Sequence, residues 1–202
     1  FHEKFIRVRK ELDPSLKIDH AMFSSIHDHE APDTMGIWSY SPIRPLFDHA
    51  YMEQVIQACK EATEEAVRNL EPAEMVCAVT EIDPAGFVKD TREPQCFDKT
   101  ICSIWFRKPA SGETIATLVS WGNHPEALGS KNSLITADFV HYLRQGLEEG
   151  VPEPNGAEGF GGMCLYFQGS LGGLMTPLHL EVPHRDGSMT FKDDSFQKAQ
   201  AL

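Results

Sequence analysis

The chain has 202 residues, 41% apolar and 24% charged, a composition able to build a folded domain with a sizeable core. Thirty acidic residues against 18 basic ones leave a formal net charge of −12, and no Lys/Arg cluster offsets it, so no nucleic-acid partner is expected. No apolar run reaches the roughly 18–20 residues that span a bilayer, so no transmembrane segment is expected either. The five cysteines, Cys59, Cys77, Cys96, Cys102 and Cys164, contain no C-x-x-C spacing. They read as isolated buried thiols rather than a zinc ribbon or a disulfide framework.

Phe1, Phe5, Val8 and Leu12 recur at helical spacing and predict a helix from Phe1 to about Leu12, stopped near Pro14. The start at Phe1 and the amphipathic end "FKDDSFQKAQAL" read as part of a longer polypeptide. "HAMFSSIH" alternates like a short strand. Leu46 to Leu70 is the clearest helix, with Tyr51, Val55, Cys59, Ala62, Ala66 and Leu70 as its apolar stripe. Met75 to Ile82 reads as a strand, and "KTICSIWFRKPASGETIATLVSWGNH" as a hairpin around a Pro-Ala-Ser-Gly turn. A further helix is predicted from Ala137 to Glu149 with Thr136 as N-cap, burying Phe139, Val140, Leu143 and Leu147. "EEGVPEPNGAEGFGG" looks like a surface loop, and "MCLYFQG" like a strand buried on both faces. Helices and strands mix without a regular βαβ rhythm. The fold class is therefore α/β, a mixed β-sheet with flanking helices, and no internal repeat is present.

Three stretches could carry chemistry. In "SSIHDHEAPDTMG", His27 and His29 stand two residues apart, so on an extended backbone they share one face about 6.5–7 Å apart. Two such imidazoles can share a metal ion, or one can bind it while the other bonds the reacting group. In "VSWGNHPEALG", His124 follows a predicted strand directly, where a rigid scaffold presents functional groups. Together the three histidines could make most of a zinc site with an open position for water. In "FQGSLGGLMTP", a Gly-rich turn follows a buried strand, and Ser170 or Thr176 could act as nucleophile or positioning hydroxyl, although no Gly-x-Ser-x-Gly elbow is present.

In this order the three stretches resemble the catalytic domain of the neutral (non-lysosomal, alkaline) ceramidase family. "SIHDHEAP" is similar to that family's T-H-T-H-S-G-P at both histidines and Pro32. "HPEALGSKNSLITADF" follows a second family segment at His124, Asn132, Leu134, Ile135 and Asp138, with Thr136 in place of a serine. "SLGGLMTP" keeps Ser170, Gly173 and Pro177 of S-N-V-G-D-V-S-P-N, while Leu174, Thr176 and Leu178 replace its Asp, second Ser and Asn. The likeness covers Ser24 to Pro177 and implies that residues 1–202 form part of a single ceramidase-like catalytic domain.

The resemblance also implies a zinc-dependent amidohydrolase cleaving the amide of an N-acyl sphingoid lipid with a metal-activated water. On that pattern His27 and His124 ligate zinc, and His29 bonds the reacting carbonyl. Arg92, in "DTREP", would steady developing negative charge, and a later Glu and Tyr would complete the zinc shell. The plainer reading of Arg92 is a surface ion pair with Asp90 or Glu93. Asp28, Glu30, Asp33 and Glu126 make the site's mouth acidic, which disfavours an anionic substrate. The expected partner is a small-molecule or lipid substrate, and the resemblance alone suggests an extracytoplasmic location. A non-catalytic ceramidase-like lipid- or carbohydrate-binding protein, or a metal hydrolase with a non-lipid substrate, is the alternative.

Overall fold

The computed structural model describes residues 2–38, 40–41, 43, 47–153, 156–171, 175–184 and 186–202. The chain forms two compact units, residues 1–23 with 32–71, and residues 24–31 with 72–202. Among the described residues no helix is long and apolar enough to cross a membrane.

The first unit is helical. Helix α1 spans His2–Glu11, a 3₁₀ turn follows at Pro14–Leu16, and α2 spans His49–Arg68. Asp48 starts α2 because its carboxylate accepts from the amides of Ala50 (2.8 Å) and Tyr51 (3.1 Å), which the first helical turn leaves unpaired. Arg7 of α1 joins Glu11 and Glu53, each at 2.7 Å, and Val8 is wholly buried. The apolar stripe predicted for α2 drifts from the face that is covered. Met52 and Ile56 are the buried residues, while Ala62, Ala66 and Leu70 are exposed. Leu46, the predicted start of α2, lies outside the described residues.

Among the described residues the second unit carries ten strands: β1 (Glu74–Glu81), β2 (Lys89–Asp90), β3 (Thr100–Arg107), β4 (Thr114–Trp121), β5 (Gly150–Val151), β6 (Ala157–Glu158), β7 (Met163–Gln168), β8 (Met175–Thr176), β9 (Val182–Pro183) and β10 (Thr190–Phe191). Its helices are α3 (Asp138–Glu149) and α4 (Phe196–Ala201). The main sheet has the order β1-β3-β4-β7, antiparallel except for the parallel pair β4–β7. This is the mixed α/β sheet with flanking helices that the sequence predicts. Trp121 and Tyr166 face a core shared with Phe139 and Val140 of α3, and Val119, two residues before Trp121 on β4, is buried as well. Trp121 and Tyr166 meet the Phe139 ring edge-on, at centroid distances of 5.4 and 6.0 Å.

The parallel pair matters most for function. Trp121 pairs with Gln168, so β4 and β7 end side by side and their following loops leave from one edge of the sheet. Those loops carry His124 and Ser170.

Several local expectations need correction. Residues 20–27 join no sheet, and His27 at φ 64° breaks the extended run. α3 is capped by Ala137, with no side-chain cap bond; the Thr136 hydroxyl instead accepts from the Asp138 amide at 3.2 Å. β7 is buried on one face only: Cys164 and Tyr166 face the core, whereas Met163 and Leu165 are exposed. Cys164 alone is a buried thiol; Cys77, Cys96 and Cys102 are exposed and Cys59 is half-buried. The long loop before β7 contains the short β5–β6 ladder.

α4 is tethered through Lys198, fully buried, whose Nζ lies 2.6 Å from Asp194 Oδ1. Burial alone would push the Asp194 carboxyl up. The Lys198 hydrogen bond, the His179 amide and the Lys198 charge outweigh it and hold the carboxyl below its usual range. A carboxylate with a lowered folded pKa stabilises the fold above its unfolded pKa, near 4, and loses that contribution as pH falls through the folded value. The protection of the α4 amides against hydrogen exchange, taken relative to the free-peptide rate at each pH, is therefore expected to fall below pH about 4. Asp194→Asn should remove that pH dependence, whereas an unchanged acid response in this variant would refute the assignment.

Candidate metal centre

His124 sits on the loop leaving β4, and two glycines bring this loop against the one leaving β7. A Cβ on Gly122 would stand 2.6 Å from the Ser170 carbonyl oxygen, and one on Gly169 2.7 Å from the Gly122 amide nitrogen. Only residues without a side chain allow that approach. Gly122→Ala should therefore lower stability by about 1–3 kcal/mol, since backbone rather than a flexible side chain must yield. A denaturant midpoint equal to that of the native chain would contradict this.

The approach lets β8 hold His124 by two bonds to one atom. The Met175 carbonyl accepts from the His124 amide at 3.0 Å and from the His124 ring Nδ1 at 2.5 Å. A carbonyl can only accept, so Nδ1 carries the proton and Nε2 presents its lone pair. β8 is in turn fixed by β2, with Lys89 opposite Thr176 and Asp90 opposite Met175.

The His-x-His stretch reaches the same place from residues 24–31. The His29 amide donates to the Pro125 carbonyl at 3.1 Å, directly beside His124. Two residues identified by their likeness to the ceramidase segments brace this junction. Asn132 Nδ2 donates to Glu30 Oε2 at 2.5 Å, and buried Asp138 accepts from the amides of Leu128 (3.1 Å) and Phe139 (2.7 Å). His27 adopts φ 64°, a left-handed conformation that costs energy outside glycine and persists only where the surroundings impose it.

The outcome is a cluster. Ring centroids of His27 and His124 are 4.8 Å apart, those of His27 and His29 5.0 Å, and those of His29 and His124 5.5 Å. One nitrogen from each ring lies within 4.8 Å of the others, so the three could hold a metal ion. The donor set is borderline-soft imidazole, which suits zinc among other transition metals.

Electrostatics separates His27 from His29. Partial burial, then the neighbouring imidazoles, lower the pKa of His27 and favour its neutral ring, the state a ligand needs. His29 goes the other way: its hydrogen bond with Glu126, Nδ1 to Oε2 at 3.0 Å, raises its pKa. Burial would raise Glu126, but its bonds to His29 and Thr176 hold it below the usual range. Asp28 is pushed up to about 6 by burial, and its carboxylate accepts from the Glu30 amide at 3.0 Å. The acids expected to line an open mouth are thus engaged: Glu30 with Asn132, and Glu126 with His29 and Thr176. Asp33 belongs to the other unit.

Glu126 is the residue whose role sequence reading missed. It appeared there only as one of several acids. Its position two residues after His124 was the available signal, since a carboxylate so placed can reach a neighbouring imidazole.

Thr176 lies in the same network, its hydroxyl donating to Glu126 Oε1 and accepting from the Leu178 amide at 2.9 Å. At 5% exposure it is better placed to orient Glu126 than to attack a substrate. The Ser170 hydroxyl is bonded to Asp98. Arg92 forms the ion pair weighed against a catalytic role: its Nε lies 3.5 Å from Oδ1 of buried Asp90. Gly173 and Leu174, which figure in the third resemblance, lie outside the described residues.

No protein-family model matches the chain, and no curated protein matches it in sequence. Solved structures resemble it in fold. The neutral ceramidase from Pseudomonas aeruginosa is similar over 77% of this chain and 25% of its own, with a TM-score of 0.58 and 15% identity. A ceramidase complexed with C2 is similar over 100% of this chain and 32% of its own, with a TM-score of 0.70 and 15% identity. The chain therefore spans a quarter to a third of the length of these proteins, and what it shares with them is the fold.

Proposed function

We propose that this chain carries the histidine half of the metal centre of a zinc-dependent amidohydrolase of the neutral ceramidase type. It belongs to a single catalytic domain of that kind, acting on the amide of an N-acyl sphingoid lipid or a related molecule, outside the cytoplasm. The observation that carries the reading is the convergence of His27, His29 and His124 from two distant stretches of sequence. The ceramidase-like fold supports it.

His27 and His124 are the ligands. His124 donates its Nδ1–H to the Met175 carbonyl and keeps Nε2 for the ion, the arrangement in which a backbone carbonyl fixes a ligand's tautomer and orientation. When bound, zinc supplies Lewis acidity and makes water a usable nucleophile near neutral pH. His29 is the catalytic histidine. Glu126 holds its Nδ1–H and favours the imidazolium, so Nε2–H can donate to the carbonyl oxygen as that oxygen takes up negative charge. Thr176 fixes the second oxygen of Glu126 and is a positioning residue. Arg92 steadies negative charge only after leaving Asp90.

The test is elemental analysis of the full-length protein purified without chelator or metal-affinity resin, followed by an assay for acyl release from N-acyl sphingosine. About one zinc per chain is expected. Absence of metal after zinc is supplied would sink the proposal.

A further inference from the structure

His27 and His124 come from stretches far apart in sequence, and bringing them together costs chain entropy. Whatever joins the two stretches before an ion arrives therefore contributes to affinity for it. Residues 24–31 form no strand, and the chain on either side of them belongs to the first unit. His29 and Glu30 tie them to the segment between β4 and α3. The His29 amide donates to the Pro125 carbonyl, and the Glu30 carbonyl accepts from the Thr136 amide at 3.3 Å. Glu30 adds its side chain. Oε2 accepts from Asn132 Nδ2 at 2.5 Å, a bond strengthened by the charge of the carboxylate. Asn132 is a prepared partner, because its Oδ1 accepts from the Leu134 amide at 3.1 Å and its Nδ2 also donates to the Leu134 carbonyl at 2.8 Å. A local turn thus fixes the Asn132 amide whether or not Glu30 is there.

We infer that Glu30 is a positioning residue for the metal: its bond to Asn132 holds the His-x-His stretch in place and so presents His27 to the ion that His124 binds. Glu30 is not a member of the histidine cluster, and it acts through the backbone. Its amide donates to Asp28 Oδ1 at 3.0 Å, which stiffens the short span between the anchor and His27. At the far end of that span His27 holds φ 64°, a conformation that the surroundings must impose. An anchor three residues away is one such constraint. Linkage makes the effect reciprocal: by whatever factor the anchor tightens zinc, zinc must tighten the anchor. The inference rests on the reading of His27 and His124 as ligands and adds to it a residue that sets their affinity without touching the ion.

The experiment measures the zinc affinity of the full-length protein by competition with a chromophoric chelator, and its hydrogen exchange with and without zinc. Glu30→Ala should weaken zinc about tenfold, the lower end of what losing a supporting partner costs a metal site. The melting temperature of the metal-free protein should stay the same, because Asn132 keeps its bonds to Leu134. Glu30→Gln removes the charge but keeps an oxygen for Asn132, and should recover most of the affinity. In an Asn132→Ala background, Glu30→Ala should change affinity by less than about twofold, since the bond is already gone. In the native protein zinc should raise the protection of the His29 and Thr136 amides about tenfold, as reciprocity requires. Native affinity in Glu30→Ala would overturn the inference. So would Glu30→Gln as weak as Glu30→Ala, since charge rather than the bond would then matter, or unchanged protection with zinc bound. A native protein that binds zinc and fails these tests loses only this inference; one that binds none loses the metal reading with it. A protein that passes them without releasing an acyl chain loses only the hydrolase reading.

Discussion

His124→Ala is expected to release the bound metal. The loss should exceed the 10- to 100-fold that removing a supporting residue costs a metal site, because here a ligand itself is lost. Folding should suffer little. The His124 amide still donates to Met175 O, so that carbonyl keeps a partner, and the cost is that of one neutral hydrogen bond, about 1 kcal/mol. Elemental analysis together with a denaturation curve separates the two effects. His141→Ala, a substitution on α3 outside the histidine cluster, serves as control and should keep its zinc. Full occupancy in His124→Ala would strike His124 from the ligands and leave the convergence of the three rings without a metal to explain it.

Glu126→Gln is expected to keep the metal and lose turnover. The amide is nearly isosteric and still offers an oxygen to the His29 Nδ1–H, so geometry is retained while the negative charge is removed. Without that charge the imidazolium form of His29 is less favoured, and the donor facing the developing oxyanion is weakened. A fall in kcat of about 10- to 100-fold is expected, the range for partners that orient and tune site histidines. KM and zinc content should stay within a few-fold of native. Thr176→Val should reproduce part of the loss, since it frees one oxygen of Glu126 without touching any histidine. A native kcat in Glu126→Gln would reduce the carboxylate to a structural brace.

Much of this site was legible in the sequence, and the reasons are physical. His27 and His29 stood out because two imidazoles in an acidic, Pro- and Gly-containing stretch have no packing role. His124 stood out because the β3–β4 hairpin was readable and placed it just past a strand end. The mixed sheet followed from β-rich runs set between helical ones. Less legible was anything that depends on a neighbour distant in sequence. The stretch before His27 alternates like a strand, yet alternation says nothing about whether a partner strand is there to pair with it. The stripe on α2 has the right period but the wrong phase, because the covered face is chosen by what packs against it. "MCLYFQ" is apolar throughout, which predicts burial on both faces; Met163 and Leu165 are nonetheless exposed. Glu126 escaped for the same reason, since its two partners come from separate stretches of chain.

The bond between Thr176 and Glu126 has a consequence for how this sequence can change over generations. A hydroxyl facing a partly buried carboxylate is useful only while the carboxylate is there, and Glu126 left alone loses one of the two groups that hold its ionised form. Either substitution by itself carries a penalty that the second partly repairs. Positions 126 and 176 should therefore covary among descendants of this chain, a pairwise signature across fifty positions.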